Sequence, residues 1–167
     1  GTFHGMDRIL SLPRAYYPAR DGAVYFPIAD NVHDIYRRGI DATDGTPVVN
    51  YGNYGILYQI RLPMAGRGRM NCFLSPLGGV YAGAVSAMSG GGRRLVETPA
   101  ARAFFGDQTQ PESPQAAQAR AEGLCRLTPY TELADLGTYG ADAPATFLYS
   151  PPGASNLPVN IILMPEK

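Results

Sequence analysis

Residues 48–64 read VVNYGNYGILYQIRLPM, two Asn-Tyr-Gly triplets followed directly by alternating apolar residues. Four large apolar side chains share one face of the extended segment 55–62: Ile56, Tyr58, Ile60 and Leu62. Leu57, Gln59 and Arg61 fall on the opposite face. A period of two residues is typical of a strand that buries one face and exposes the other. This segment therefore predicts a core strand.

The triplets that precede the strand predict a turn or a bulge. Asn50 and Asn53 tolerate the left-handed backbone conformation, and Gly52 and Gly55 adopt it without steric cost. Tyr54 has the same parity as the apolar face of the strand, so we expect it to help fill the core. The alternative interpretation is an exposed aromatic shelf for a ligand, formed by Tyr51, Tyr54 and Tyr58.

Further segments with alternating or apolar residues predict additional strands. They lie at 3–12, at 23–30, on either side of a Ser-Pro-Leu-Gly-Gly turn within 70–88, at 145–150 and at 157–165. The last of these is the strongest apolar run and predicts a central strand. Residues 114–122 favour a short helix, with Ser113 and Pro114 as its N-terminal signal. Many short strands with Gly/Pro punctuation indicate a mainly β fold, an antiparallel β-sandwich or jelly-roll-like barrel with one short helix, in a single domain over 1–167.

The composition excludes several classes of protein. Charged residues make up 17% of the 167 residues and the formal net charge is zero, so no global field favours nucleic acid or an anionic membrane. No run of 18 apolar residues occurs, so we expect no membrane span. The segment GTFHGMDR has no signal-peptide pattern, and we expect Gly1 to begin a processed mature chain or a trimmed one.

Cys72 and Cys125 are the only two cysteines. They form either one disulfide or two unrelated buried thiols. A disulfide would close a loop of roughly fifty residues and stabilise the fold by about 3–4 kcal/mol on the chain-entropy model. No spacing of cysteine and histidine typical of a zinc site is present.

The densest acidic cluster lies at residues 29–46. Asp30, Asp34, Asp41 and Asp44 are candidate oxygen ligands for calcium, the one cofactor that the sequence suggests, although the EF-hand spacing is missing. The alternative is that these carboxylates are solvated turn residues, since Asp-Gly is a common turn dipeptide. His33 lies in the same stretch without a nucleophile motif beside it, so no catalytic role is expected for it.

Two further groups of residues suggest ligand binding. Five tyrosines are candidate stacking faces of a carbohydrate-binding module: Tyr16, Tyr17, Tyr51, Tyr54 and Tyr81. The stretch GGGRR at 90–94, with RGR at 67–69, predicts a hairpin tip with solvated arginines, or a contact with anionic polysaccharide or a neighbouring subunit. Glu97 and Glu132 are the remaining carboxylates for a glycoside hydrolase, which is the least favoured alternative.

Three strings resemble a pattern found in secreted or surface-attached bacterial proteins. They are NYGNYGILYQIRLP, FLSPLGGVYAGAV and SPPGASNLPVNIILMP, which are similar to GNYGVLY, NPRGGxYAGA and PPGGSNLP. Some proteins with this pattern carry stalk domains of the copper-amine-oxidase-like type. The resemblance covers 48–85 and 145–165, and it implies an extracellular β domain of unknown activity without catalytic residues. Leu77 stands where the pattern has Arg, so anion binding is not expected at that loop.

The sequence thus favours a non-enzymatic protein of the bacterial cell surface. We expect a secreted structural or adhesive component that associates with itself or with other surface proteins, with polysaccharide as an alternative partner. The strand-like segments at both termini suggest a filament assembled by β-strand addition to a neighbour's sheet edge. The alternative is that both termini pair within their own domain.

Overall fold

The structure is a computed structural model that describes residues 1–76, 78–98, 104–107, 133–153 and 155–167. Its strands, in chain order, are β1 (Asp7–Ser11), β2 (Val24–Ile28), β3 (Arg37–Ile40), β4 (Pro47–Asn50), β5 (Leu57–Leu62), β6 (Arg69–Pro76), β7 (Gly78–Tyr81), β8 (Gly83–Ser89), β9 (Gly92–Thr98), β10 (Phe104–Asp107), β11 (Ala134–Gly140), β12 (Ala145–Tyr149) and β13 (Val159–Pro165). The helix α1 (Pro18–Asp21) precedes β2. The predicted helix at 114–122 lies outside the described residues.

Two main sheets form the layers of a β-sandwich, which confirms the mainly β prediction. The five-stranded sheet has the order β1-β5-β12-β8-β9, and the four-stranded sheet has the order β11-β6-β13-β2. The pair β1–β5 is parallel, whereas the other pairs of both main sheets are antiparallel. Two small antiparallel pairs, β3–β4 and β7–β10, lie outside these sheets.

The strand predicted from 55–62 occupies an interior position of the five-stranded sheet. Its four predicted core residues are at most 1% exposed, while Leu57 on the other face is 44% exposed. They join one apolar cluster with residues of both sheets, among them Leu74, Phe147 and Ile161. The alternation of the sequence therefore decides which face of β5 packs between the layers.

The turn before β5 is also confirmed. Gly52, Asn53 and Gly55 have φ values of 88°, 53° and 74°, in the left-handed region. The side chain of Asn50 closes the turn, since its Oδ1 accepts the N–H of Tyr54 at 3.0 Å and its Nδ2 donates to the Tyr54 carbonyl at 2.9 Å. The phenol of Tyr54 donates to the carbonyl of Ser155 at 2.6 Å, which ties this turn to the loop after β12.

Both terminal segments pair within their own chain. β1 adds to β5 at the edge of the five-stranded sheet, and β13 lies between β6 and β2, as expected for a central strand. Ahead of β1, Thr2 forms an antiparallel bridge with Ile40 of the small β3–β4 pair. Of the two alternatives for the termini, the structure therefore shows pairing within the chain.

Candidate functional site

A cleft of about 410 Å³ lies at the side of the sandwich where β9 faces β11. The β8–β9 hairpin forms one wall and β11 forms the other. A tight turn at Gly90 and Gly91, with φ values of 55° and 81°, joins the two strands of the hairpin. This geometry confirms the predicted hairpin tip and places two consecutive arginines, Arg93 and Arg94, on the wall of the cleft.

The two arginines are held by different contacts. Nε of Arg93 donates to Oγ of Ser86 at 2.8 Å, and Nη2 of Arg94 donates across the cleft to the carbonyl of Leu136 at 2.8 Å. Among the described residues, neither guanidinium belongs to an ion pair. Arg94 thus points across the cleft toward β11, whereas Arg93, the preceding residue of β9, points to the outer face of the sheet beside Ser86 and lines the cleft at its rim.

A bulge in β11 makes room for Arg94. The register between β11 and β6 shifts between Asp135 and Gly137, and Gly137 has a φ of 108°. A Cβ atom at Gly137 would lie 2.7 Å from Nη2 of Arg94 and 3.0 Å from the phenol oxygen of Tyr139. Only glycine fits this combination of backbone conformation and close approach.

Polar groups complete the cleft, which we name the arginine cleft. Ser89 and Thr138 line it, and their hydroxyls donate to the Ala143 carbonyl at 2.6 Å and to Oδ1 of Asn71 at 2.7 Å. Both oxygens keep lone pairs that can accept from a ligand hydroxyl. One guanidinium in the cleft and a second at its rim, with acceptor hydroxyls beside them, suit an anionic, hydroxyl-rich ligand, because guanidinium matches carboxylate in a bidentate fashion.

Of the five tyrosines predicted as stacking faces, Tyr16 and Tyr81 do not present their rings to solvent, so the prediction is wrong for these two. Tyr16 and Tyr81 are buried, at 2% and 0% exposure, because their rings fill the core. Their phenols lie within 2.6 Å of the Gly22 carbonyl and 3.3 Å of the Tyr149 hydroxyl, respectively. Neither ring offers a face to a sugar.

The other three candidate tyrosines lie in different surroundings. Tyr54 is half-buried and closes the turn before β5, and Tyr17 carries the guanidinium of Arg20 over its ring at 4.2 Å. Tyr51 is 72% exposed and contacts the ring of Tyr36 edge to face, with 5.7 Å between centroids. Of the predicted stacking residues, Tyr51 is the one with a largely solvent-exposed side chain.

The aspartates proposed for calcium serve as turn and network residues. Oδ1 of Asp30 accepts the backbone N–H groups of Val32, His33 and Asp34 at 2.8–3.1 Å. Asp41 and Asp44 accept the N–H groups of Thr43 and Thr46 in the β3–β4 loop. No cluster of three or more acidic, histidine or cysteine side chains suited to a metal ion occurs in the described ranges, so the structure does not bring the four aspartates together.

Asp34 is the centre of a buried polar network that the sequence did not reveal. Its carboxylate pairs with Arg8 of β1, and Oδ2 accepts the N–H of Ala29 and the hydroxyl of Tyr58, each at 2.7 Å. Nδ2 of the fully buried Asn53 donates to the same Tyr58 oxygen at 2.8 Å. Burial and the neighbouring Asp34 raise the pKa of Tyr58, so its hydroxyl stays protonated as a donor. The network fastens the loop 29–36 to β1 and β5.

His33 lies in a setting that resembles part of a catalytic triad without completing one. Its Nδ1 is 2.8 Å from Oδ2 of Asp30, and both His33 and Ser11 line a smaller pocket of about 160 Å³. The hydroxyl of Ser11 donates to the Leu12 carbonyl at 3.3 Å, and no hydrogen bond joins Ser11 to His33. The pair of His33 and Asp30 is explained as part of the turn that Asp30 organises.

The remaining predicted residues are placed as follows. Cys72 is a buried free thiol in β6, and burial raises its pKa, which keeps it protonated. Cys125, the other member of the predicted disulfide, lies outside the described residues. Glu97 is exposed on β9, and Glu132 lies outside the described residues. In the described part of the chain, no helix has the length and apolar character needed to cross a membrane.

Acid should destabilise the fold through its turn carboxylates. Burial opposes ionisation of Asp30, but hydrogen bonds from the Asp34 N–H, the His33 ring and two further N–H groups lower its pKa overall. Hydrogen bonds from Arg14 lower the pKa of Asp21, and hydrogen bonds from Thr46 lower the pKa of Asp44. A lowered folded-state pKa contributes stability that is present above the unfolded value of about 3.9 and is lost as pH falls through the folded value.

We therefore expect the free energy of unfolding in urea to fall as pH decreases below about 4. In Asp30→Asn the acid-induced part of that decrease should be smaller, because one of the responsible groups no longer titrates. An unchanged pH slope in this variant would show that Asp30 does not contribute.

No protein-family model matches the chain, and neither curated proteins nor solved structures give a match. The fold and the site therefore define the class of this protein: a two-layer β-sandwich with an arginine-lined cleft between the edges of its sheets.

Proposed function

We propose that the chain is a non-enzymatic adhesive protein of the bacterial cell surface that binds acidic polysaccharide in the arginine cleft. The observation that carries the proposal is Arg94 inside a cavity of about 410 Å³, with Arg93 at its rim and neither guanidinium in an ion pair among the described residues. The chain as a whole has a formal net charge of zero. Attraction of an anion is therefore a local property of this cleft.

The chemistry of the cleft favours uronic acid units over other anions. A carboxylate accepts two parallel hydrogen bonds from one guanidinium, and the sugar hydroxyls find acceptors at Ser89 and Thr138. A membrane surface or nucleic acid would engage a broad basic face, which the balanced charge does not provide. The resemblance and the low-charge composition rich in Gly, Pro and Tyr support an extracellular location.

Assembly by strand addition has less support than the strand-like sequences of the two terminal segments alone suggest. β1 and β13 already serve as strands of their own sheets. The edge strand β2 contains Pro27, β9 carries two arginines, and β11 has the bulge before Gly137. Proline, charge and bulges at sheet edges are devices that oppose pairing with another chain. We therefore propose adhesion through a ligand and not through a donated strand.

Binding of polygalacturonate, measured by calorimetry at low ionic strength, tests the proposal. We expect saturable binding that weakens as salt is raised, with no binding of neutral dextran. The double variant Arg93→Ala/Arg94→Ala should bind about tenfold more weakly or worse, because charge-assisted hydrogen bonds contribute roughly 1.5–3 kcal/mol each. Arg93→Lys/Arg94→Lys keeps the charge and loses the planar fork, so it should bind with intermediate affinity.

Arg38→Ala is the matched control, since Arg38 is an exposed arginine on β3, outside the arginine cleft. It should bind as the parent protein does. Equal loss of affinity in this control, equal binding of dextran, or tighter binding of duplex DNA than of polygalacturonate would each contradict the proposed function. Thermal unfolding of every variant verifies that the sandwich is intact.

A further inference from the structure

The outer face of the five-stranded sheet has an ordered pattern that the arginine cleft does not explain. The strand registers align outward-pointing residues in three rows across the sheet. The middle row consists of Ile9, Gln59, Leu148, Ser86 and Leu95. Its two ends are exposed apolar residues, since Ile9 is 59% and Leu95 is 70% exposed.

The two flanking rows have opposite charge. On one side of the middle row lie Asp7 at the β1 edge and Glu97 at the β9 edge, which are both acidic. On the other side lie Arg61 and Arg93, which are both basic. The face therefore has an acidic row, a middle row with exposed apolar ends, and a basic row, in that order along the strand direction.

We propose that this face is a symmetric interface with a second copy of the chain, with the twofold axis along the middle row. Rotation about that axis brings the acidic row of one copy over the basic row of the other, and each residue of the middle row faces itself. Asp7 then faces Ser11 of the other copy and lies one strand away from its Arg61, and Leu95 contacts Leu95. An isologous interface requires such a self-complementary patch.

The charges select this axis over the other twofold arrangement. An axis along the strand direction would place Asp7 opposite Glu97 and Leu95 opposite Ile9. Like charges brought together at an interface cost free energy, so this second arrangement is disfavoured. The charge pattern thus specifies one operator and, with it, one set of contacts.

The size of the face indicates a weak dimer. With strands about 4.8 Å apart and rows about 6.8 Å apart, the three rows cover roughly 19 by 14 Å. Including the margins of the side chains, the contact buries on the order of 500 Å² per copy, below the roughly 800 Å² of a standard interface. We therefore expect dimerisation to depend on protein concentration. Where the protein is dense on a surface, each dimer would present two binding sites to a polymeric ligand.

Sedimentation equilibrium of the full chain tests the interface, with Leu95→Glu as the first variant. We expect a reversible dimer for the parent protein and an about tenfold or larger increase in its dissociation constant for Leu95→Glu, because two carboxylates then face each other. Leu95 is exposed, so the variant should keep its fold, which circular dichroism verifies.

A charge-swap series identifies the operator. Glu97 has a further contact within its own chain, so Asp7 and Arg61 are the pair to exchange. Arg61→Glu and Asp7→Arg should each weaken the dimer, and Asp7→Arg/Arg61→Glu should restore it. Arg38→Glu, outside the face, should have no effect. These variants avoid Arg93, so the failure of this interface and the failure of polysaccharide binding are separate results.

Cysteine cross-linking provides the geometric test. Leu95→Cys should form a disulfide-linked dimer under mild oxidation, whereas Val32→Cys, at a position that is 72% exposed on the 29–36 loop, should not. A chain that is monomeric at its highest soluble concentration would overturn the proposal. So would a dimer that Leu95→Glu leaves unchanged, or cross-linking of Val32→Cys as fast as of Leu95→Cys.

Discussion

Replacing Asp34 by Asn should lower the free energy of unfolding by about 3–5 kcal/mol, the typical cost of removing one partner from a buried ion pair. The Asp34 side chain is 2% exposed and its carboxylate has three donors, from Arg8, Ala29 and Tyr58. An amide of the same shape retains some hydrogen bonding but leaves the charge of Arg8 without its partner. We expect a value near the lower end, because Arg8 is 22% exposed and retains its bond to the Ile35 carbonyl at 2.7 Å.

The measurement is urea unfolding at neutral pH, with Asp142→Asn as the control at an exposed turn position. The control should change stability by less than about 0.5 kcal/mol, as is usual for surface substitutions. In the double variant Arg8→Met/Asp34→Asn the loss should be smaller than the sum of the two single losses, because no unpaired charge remains. Equal effects of Asp34→Asn and Asp142→Asn would show that the network does not hold the loop.

The Asp34 network also shows where sequence reasoning stops. The alternation in 55–62 correctly predicts that Tyr58 faces the core, because burial of apolar surface follows local periodicity. It does not predict that the Tyr58 hydroxyl meets a carboxylate 24 residues earlier in the chain, since that contact depends on how separate segments fold together. Asp34 is predicted as a calcium ligand because an acidic cluster in a turn-rich stretch has the same local pattern whether its carboxylates bind a cation or hold a network within the protein.

Only one wall of the arginine cleft could be predicted from the sequence. The string GGGRR indicates a hairpin tip, and Gly90 and Gly91 form that turn. The opposite wall was missed because β11 reads ADLGTYG, whose glycines and bulge interrupt the alternation that identifies a strand. Strands with an inserted residue lose the period of two at the position that faces the site. The strands β3, β4 and β9 were also missed, since they are short or mostly exposed.

Gly137 connects the missed strand to the proposed function, so its substitution should have the second large effect. In Gly137→Ala a non-glycine residue must adopt a φ of 108°, and its Cβ would lie 2.7 Å from Nη2 of Arg94. The backbone strain alone costs roughly 1–3 kcal/mol. We expect a comparable loss of stability and, in addition, weaker binding of polygalacturonate, because Arg94 must leave its bond to the Leu136 carbonyl.

The double variant Gly137→Ala/Arg94→Ala separates strain from steric conflict. If displacement of the Arg94 guanidinium contributes to the loss of stability in Gly137→Ala, the further change Arg94→Ala should lower the free energy of unfolding less in that variant than in the parent protein. The backbone strain of the positive φ should remain in the double variant. Gly153→Ala is the matched control, because a Cβ at Gly153 meets no atom within 4 Å and its φ lies outside the left-handed region. Urea unfolding and calorimetry with polygalacturonate measure both effects. If Gly137→Ala binds the polymer as tightly as the parent protein does, the position of Arg94 across the cleft is not what the ligand recognises.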